Sequence, residues 1–413
     1  MPETFELSVH SSVLRARPQL PLSKSLSNRH IMLHAVSGGK IKLPELSDAQ
    51  DTRALLEIIT QLPSKANAGD GGTTFRFALA YLAALPHYEG VLTGSSRLCD
   101  RPQQVLINAL RELGANIECL ENEGFAPVLI RGRNLKGGVL EIDASVSSQY
   151  ASALMLIAPL MKERLNLRFK GELVSLAYLQ KTLHIMQQCG VQWELNSNSA
   201  QLISNKLHLF DLQPEGDWTA ASYWYAFAAL AERSDVFIKH LKFQSIQGDR
   251  IVADVFRQLG VESLETAEGI RLVRNGRAVD FFMYDAINNP DIVQTLVVTC
   301  VGLKIPFEIT GIQTLVNKET NRIEALRIEM AKLNVMLEVE NNSSIRCLNP
   351  QPDFTRTLIV DTYNDHRMAM AFTPLVYKVY KLAVRKPSVV DKSYPNFWRD
   401  VREAGVQFAY WDD

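Results

Sequence analysis

One pattern recurs five times along the 413-residue chain and restricts what it can fold into. A helix-like run of periodic Leu and Met closes on Gly or Asn plus a small apolar residue, and a strand-like run follows. It is seen in "LINALRELGANIECL", "LHIMQQCGVQWEL", "VADVFRQLGVESL", "LRIEMAKLNVMLEV" and "FWRDVREAGVQFAY". The closing residues Gly114, Gly190, Gly260, Asn334 and Gly405 lie 76, 70, 74 and 71 residues apart. Helical periodicity, a terminal residue suited to the left-handed cap and a β-rich stretch predict helix–turn–strand. A period of about 70 residues exceeds that of solenoids and accommodates several strands and two helices. "TRALLEIITQLPSKA", Thr52 to Ala66, reads as a sixth, degenerate copy, giving three repeats in each of two domains. Two domains also suit a chain too long for one ordinary core.

The formal net charge is −1, so no nucleic acid or anionic membrane is expected as the main partner, and a strong basic site must be built locally by folding. The five cysteines are scattered and form no CxxC or metal-ligand spacing, which favours a reducing compartment. "MPETFELSVH" has no leader-like pattern, and no apolar run is long enough to cross a bilayer. A cytoplasmic protein is expected. The sequence lacks GxxxxGK[ST], a GxGxxG after a strand, HExxH and GxSxG. No metal or organic cofactor is called for.

Polar groups gather where helices begin. "LPLSKSLSNRHIMLHA", "NAGDGGTTFRFALAYLAAL", "LTGSSRLCDRPQQVLINAL" and "VSSQYASALMLIAPL" each put small or charged residues before an apolar helix. "EGDWTAASYWYAFAAL", "NNPDIVQTLVV", "NKETNRIEALRIEM" and "YNDHRMAMAF" do the same. Helix starts offer unpaired N–H groups and the positive end of the dipole, so they suit anions. Taken singly, each stretch also reads as ordinary capping, Arg367 included. Caps alone do not require Lys24, Arg29, Arg97, Arg101, Lys318, Arg322, Arg367 and Lys392, so a shared polyanion surface explains the set better.

The strings "KSLSNR", "LTGSSRLCDRP", "SSQY", "EGDWTAASY", "NNPD", "KETNR", "YNDHRMAM" and "KSYPNF" resemble those of the 5-enolpyruvylshikimate-3-phosphate synthases, an enolpyruvyl transferase family. The resemblance runs in order from Leu20 to Phe397. It implies an α/β fold of two domains, each of three βαβαββ-like repeats, with helix N-termini facing an interdomain cleft. Residues 20–214 would form one domain on the shikimate 3-phosphate side. Residues 1–19 with 215–413 would form the other and contribute phosphoenolpyruvate ligands.

The implied reaction moves the enolpyruvyl group of phosphoenolpyruvate to the 5-hydroxyl of shikimate 3-phosphate and releases phosphate, with no cofactor and a monomeric enzyme expected. Carried over position by position, the resemblance assigns Lys24, Ser25, Arg29, Ser147, Ser148, Gln149, Ser175, Tyr178, Asp291 and Lys318 to shikimate 3-phosphate. It assigns Lys24, Gly72, Arg97, Gln149, Arg322, Arg367 and Lys392 to phosphoenolpyruvate. Lys24, Asp291 and Glu319 are the implied catalytic residues, and which carboxylate handles which proton stays open. His366 is a supporting polar residue.

The chain departs from the family at several points. The segment between "SDAQDTRALLEII" and "AGDGGTTFRF" is short, so the first repeat is expected to lack a hairpin and its Leu–Gly helix end. Leu22, Asp70, Asn321 and Thr314 stand where Gly, Asn, Asp and Asn are usual. Two alternatives are a UDP-N-acetylglucosamine enolpyruvyl transferase and a non-catalytic relative. Against the first, the loop position five before Arg101 holds Ser96, and Cys99 is misplaced. Against the second, Lys24, Asp291 and Glu319 are all present.

Overall fold

All five repeat-closing residues take positive φ in the computed structural model, which describes residues 3–143, 148–171 and 176–411. The angles are +99° at Gly114, +86° at Gly190, +84° at Gly260, +61° at Asn334 and +95° at Gly405. At four of these caps the following residue donates its amide to the carbonyl five positions back. Ala115 reaches Leu110 at 2.9 Å, Val191 reaches Met186 at 3.0 Å, Val335 reaches Met330 at 3.1 Å and Val406 reaches Val401 at 3.3 Å. The apolar residue after the cap thus folds back over the helix end, which is why the sequence places one there. The degenerate copy ends instead on Leu62, at φ +47°. A side chain in that region costs roughly 1–2 kcal/mol that glycine avoids.

The chain opens with β1 (Thr4–Ser8) and β2 (Val13–Ala16), then α1 (Lys24–Val36) and α2 (Gln50–Gln61). One repeat comprises β3 (Lys65–Asn67), α3 (Gly72–Ala84), β4 (Glu89–Thr93), the short α4 (Ser96–Cys99), α5 (Gln104–Glu112), β5 (Asn116–Cys119) and β6 (Val128–Arg131). The next has β7 (Gly138–Asp143), α6 (Ser148–Ile157), β8 (Leu165–Lys170), α7 (Leu176–Gln188), β9 (Gln192–Asn196) and β10 (Ser199–Ser204). A third is begun by β2 and continues through α8 (Trp218–Leu230), β11 (Arg233–Lys239), α9 (Val252–Gln258), β12 (Leu259–Glu265) and β13 (Gly269–Ala278). Then come β14 (Phe282–Asp285), α10 (Val293–Leu303), β15 (Phe307–Thr310), α11 (Arg322–Ala331), β16 (Glu338–Glu340) and β17 (Ser344–Cys347). The last has β18 (Thr357–Val360), α12 (His366–Phe372), β19 (Lys381–Arg385), α13 (Phe397–Glu403) and β20 (Gln407–Trp411), with β1 as its fourth strand.

Every one of these repeats builds the same four-stranded sheet. Its first and second strands are parallel, and the fourth lies antiparallel between the second and the third. The rule holds where the strands are far apart in sequence: β2 pairs in parallel with β11, and β1 lies between β19 and β20. The repeat holding α1 and α2 has no such sheet among the described residues, in line with the shortened segment.

Two compact units result, Met1–Pro21 with Glu215–Asp413, and Leu22–Pro214. Within each unit, the helix between the first two strands of every repeat is buried. In one unit α8, α10 and α12 pack on one another; in the other α1, α3 and α6 do so. Their sequences explain the placement. "TAASYWYAFAAL" in α8 is apolar all round, and every residue of that helix except Thr219 is buried. A helix without a polar face belongs inside a core. The second helix of each repeat is amphipathic, as in α5, where Leu106, Ile107, Ala109 and Leu110 face inward. Polar residues nevertheless gather at the starts of the buried helices, as at Thr73 and Thr74 in α3 and His366 and Arg367 in α12.

Candidate active site

In the unit Met1–Pro21 with Glu215–Asp413, the polar helix starts converge on the guanidinium of Arg322. This residue opens α11, is 1% exposed and lies among three carboxylates. Its Nε donates to Asp365 Oδ2 at 2.7 Å, one terminal nitrogen to Asp291 Oδ1 at 3.0 Å and the other to Glu319 Oε2 at 2.7 Å. Burial alone lowers a guanidinium pKa; here Asp365, Glu319 and Asp291 outweigh it and hold Arg322 above its usual value.

Arg367 approaches Asp291 from the first turn of α12. One terminal nitrogen pairs with Asp291 Oδ2 at 3.0 Å, and the other donates to the Asp291 carbonyl and the Tyr223 hydroxyl, both at 3.3 Å. Burial raises the Tyr223 phenol to about 12, so it remains a neutral partner. Lys318 Nζ stands 3.5 Å from Asp291 Oδ1; burial pushes its pKa down while Asp291 works in the opposite direction. Lys392 Nζ donates to the Asn364 carbonyl at 2.6 Å, in the turn before α12. Asp291, Lys318, Glu319, Arg322 and Arg367 are therefore one cluster, and Lys392 is tied to the turn that precedes Asp365 and Arg367. His366 is buried beside it, with Nδ1 3.8 Å from Asp365.

The turn presenting Arg367 is strained. Tyr363 and Asn364 both have positive φ, +53° and +56°, immediately before the cap Asp365. Tyr363 is tied by its hydroxyl to buried Glu329 Oε1 at 2.7 Å, while Asp365 Oδ1 accepts the Arg367 amide at 2.9 Å. Strain of this kind persists only where surrounding contacts fix it. α11 supplies them at both ends, through Arg322 and Glu329.

In the unit Leu22–Pro214 the remaining residues fall into two groups. Lys24 Nζ pairs with Asp51 at 2.8 Å. Arg29, 1% exposed, donates to Thr182 Oγ1 at 2.8 Å and to the carbonyls of Ser25 at 2.7 Å and Tyr178 at 3.0 Å. Burial lowers its pKa to about 10, with the Tyr178 interaction opposing. Lys24, Ser25, Arg29 and Tyr178 thus lie together across α1 and α7.

The second group centres on Arg76, which donates to Gln149 Oε1 at 2.6 Å and Gln103 Oε1 at 3.1 Å and lies over the Tyr150 ring. Ser148, beside Gln149, is buried at the start of α6. Gly72 has a steric reason to be glycine: a Cβ there would come within 2.8 Å of the Arg101 guanidinium. Arg97 is exposed on α4. Ser147 and Ser175 lie outside the described residues.

Sequence reasoning missed several participants. Asp365 reads as a cap and is also the buried partner of Arg322. Asp51 partners Lys24 from 27 residues away, with no local signal. The sequence shows Arg101 as a cation but not its place against Gly72, and it carries no signal for Arg76, Tyr223 or Lys181.

A protein-family model described as EPSP synthase (3-phosphoshikimate 1-carboxyvinyltransferase) matches residues 63–401. The chain is 42% identical to a 3-phosphoshikimate 1-carboxyvinyltransferase of Bacteroides fragilis, over 95% of this chain and 96% of that protein. It is 34% identical to one of Vibrio atlanticus, over 92% and 94%. The fold is similar to that of an EPSP synthase structure from Acinetobacter baumannii, with a TM-score of 0.76 at 19% identity, over 98% and 99%. With two enzymes of that name above 30% identity along almost its whole length, the chain belongs to the EPSP synthase family of transferases.

Proposed function

We propose that this chain transfers the enolpyruvyl group of phosphoenolpyruvate to the 5-hydroxyl of shikimate 3-phosphate, releasing phosphate in the shikimate pathway. In the addition step the hydroxyl loses its proton and attacks C2, while C3 gains a proton. The resulting tetrahedral species then loses phosphate from C2 and a proton from C3, restoring the double bond. Both steps need proton acceptors and donors beside a dense set of cations.

The observation that carries this reading is the sharing of one guanidinium by Asp291 and Glu319, with Arg367 and Lys318 on Asp291. We assign proton transfer to Asp291, Glu319 and Lys24, and phosphoenolpyruvate binding to Arg322, Arg367 and Lys392 with Lys24, Gly72, Arg97 and Gln149. Ser25, Ser147, Ser148, Gln149, Ser175, Tyr178 and Lys318, with Lys24 and Asp291, serve shikimate 3-phosphate. Arg29 serves it chiefly by fixing Ser25 and Tyr178, the groups its donors already hold.

The protein is further proposed to act as a cytoplasmic monomer. All five cysteines are unpaired, which supports a reducing compartment. No described helix is long and apolar enough to cross a membrane. The test is phosphate release from phosphoenolpyruvate with shikimate 3-phosphate or UDP-N-acetylglucosamine as acceptor. Release with the first acceptor alone is expected; release only with the second, or with neither, contradicts the reading.

A further inference from the structure

α7 meets α1 through three residues on one face, Tyr178 by its carbonyl and Lys181 and Thr182 by their side chains, at the spacing that aligns residues along a helix. Two of the contacts explain themselves structurally. The Tyr178 carbonyl and the Thr182 hydroxyl hold Arg29, and Thr182 also bonds Ser152 at 3.0 Å. The third is different. Lys181 is 6% exposed, its ammonium lies 5.1 Å from the centre of the Tyr178 ring, and it donates to Ser25 Oγ at 2.7 Å.

An ammonium can only donate. Ser25 Oγ is therefore the acceptor in this bond, and its single O–H must point elsewhere. Among the described residues the other hydroxyl close to it is Ser23 Oγ at 3.3 Å, a long contact for two hydroxyls. Lys181 thus sets Ser25 as a hydrogen-bond donor with a positive charge directly behind it, the polarity that an anionic group requires. A charge-assisted chain of this kind strengthens the outer bond as well as orienting it. Burying an ammonium is a poor way to gain stability, since apolar replacements of similar volume are often neutral or stabilising. Its presence on a serine at a helix start points to binding.

We propose that Lys181 is a positioning residue for recognition of shikimate 3-phosphate, acting through Ser25 to present a donor backed by a second cation to an anionic group of that substrate. This rests on the functional reading given above. Lys181 does not belong to the phosphoenolpyruvate set, so its loss separates the two substrates.

The test compares steady-state kinetics, direct shikimate 3-phosphate binding by calorimetry and thermal midpoints for wild type, Lys181→Met, Lys181→Arg, Ser25→Ala and the Ser25→Ala/Lys181→Met double variant. Lys181→Met is expected to raise the KM and Kd for shikimate 3-phosphate about ten- to a hundred-fold, the loss of one charge-assisted bond. Both kcat and the phosphoenolpyruvate KM at saturating shikimate 3-phosphate should stay within about two-fold, and the thermal midpoint should not fall. Lys181→Arg should recover part of the affinity. The double variant should bind about as weakly as Ser25→Ala alone, because the two act as one unit. Unchanged shikimate 3-phosphate affinity in Lys181→Met, or additive losses in the double variant, overturns the inference while leaving the functional reading intact. A wild-type chain that neither binds shikimate 3-phosphate nor turns it over overturns both.

Discussion

Arg322 Nε lies 2.7 Å from Asp365 Oδ2, and both side chains are essentially sealed from solvent. This pair locks the start of α11 to the start of α12. Its other consequence is electrostatic. With one edge of the guanidinium fixed on Asp365, the remaining nitrogens are aimed at Asp291 and Glu319, so the buried pair sets the geometry of the two carboxylates assigned to proton transfer. Buried ion pairs rarely repay their desolvation as stability, and their use here is orientation.

Asp365→Asn should therefore destabilise the fold while leaving the helix cap in place. The amide oxygen can still accept the Arg367 N–H, but Arg322 loses its most buried counter-charge. Breaking such a pair from one side costs about 3–5 kcal/mol, with the lower end expected because Asp291 and Glu319 remain. Asp365→Ala should cost about 0.5–2 kcal/mol more for the lost cap. Denaturant unfolding of the two variants checks both steps.

Arg367→Lys should impair the use of phosphoenolpyruvate although the charge is kept. The guanidinium spans Asp291 and Tyr223 with two nitrogens, a fork that an ammonium cannot copy. Losing one charge-assisted bond costs about 1.5–3 kcal/mol, or about ten- to a hundred-fold in kcat/KM for phosphoenolpyruvate. Shikimate 3-phosphate affinity measured alone should change little. A lowered thermal midpoint with unchanged kinetics would return Arg367 to the role of a simple helix-start residue.

Tyr363→Phe should loosen the strained turn. It removes the bond to Glu329 and leaves that buried carboxylate to the Lys332 ammonium and the Asp361 amide. A stability loss of about 1–3 kcal/mol is expected, together with a raised KM for phosphoenolpyruvate, since Lys392 and Arg367 are both held by this turn. An unchanged KM would separate the turn from the site.

Much of this arrangement is legible in the sequence. Helix ends, left-handed caps and the repeat could be read because each is written in a few adjacent residues: Leu spacing, one Gly or Asn, one small apolar residue. The crowding of cations at helix starts was equally local. The repeat and the length point to two domains, but only family resemblance joins the N-terminal segment to the later one, since nothing near Thr4–Ser8 announces that β1 pairs with strands at the far end of the chain. The same limit hid the partners within the site. Asp365 sits 43 residues from Arg322, Asp51 27 from Lys24 and Lys181 156 from Ser25, distances at which only the packed fold brings side chains together.

His30 should make the protein acid-sensitive. Burial, reinforced by Arg29, pushes its imidazole down to about 4 from the ordinary 6.5. Between those values the unfolded chain binds a proton that the folded chain does not. Stability is therefore present above about pH 6.5 and lost as pH falls toward 4, by about 1.4 kcal/mol per pH unit. Wild type and His30→Gln should show a constant difference in unfolding free energy above pH 6.5 and a sloping one below it. Parallel curves across the whole range would remove His30 as the cause.

The central claim is that Asp291 and Glu319, organised by one guanidinium, move protons, Asp291 doing so while it also contacts shikimate 3-phosphate. The most direct measurement pairs single-turnover rates with shikimate 3-phosphate dissociation constants for wild type, Asp291→Asn and Glu319→Gln. Each neutral isostere should cut the rate by about 100- to 10,000-fold, with the dissociation constant moving far less, because the cations and hydroxyls that bind the substrate are retained. Equal losses in rate and in binding for both variants would contradict the account.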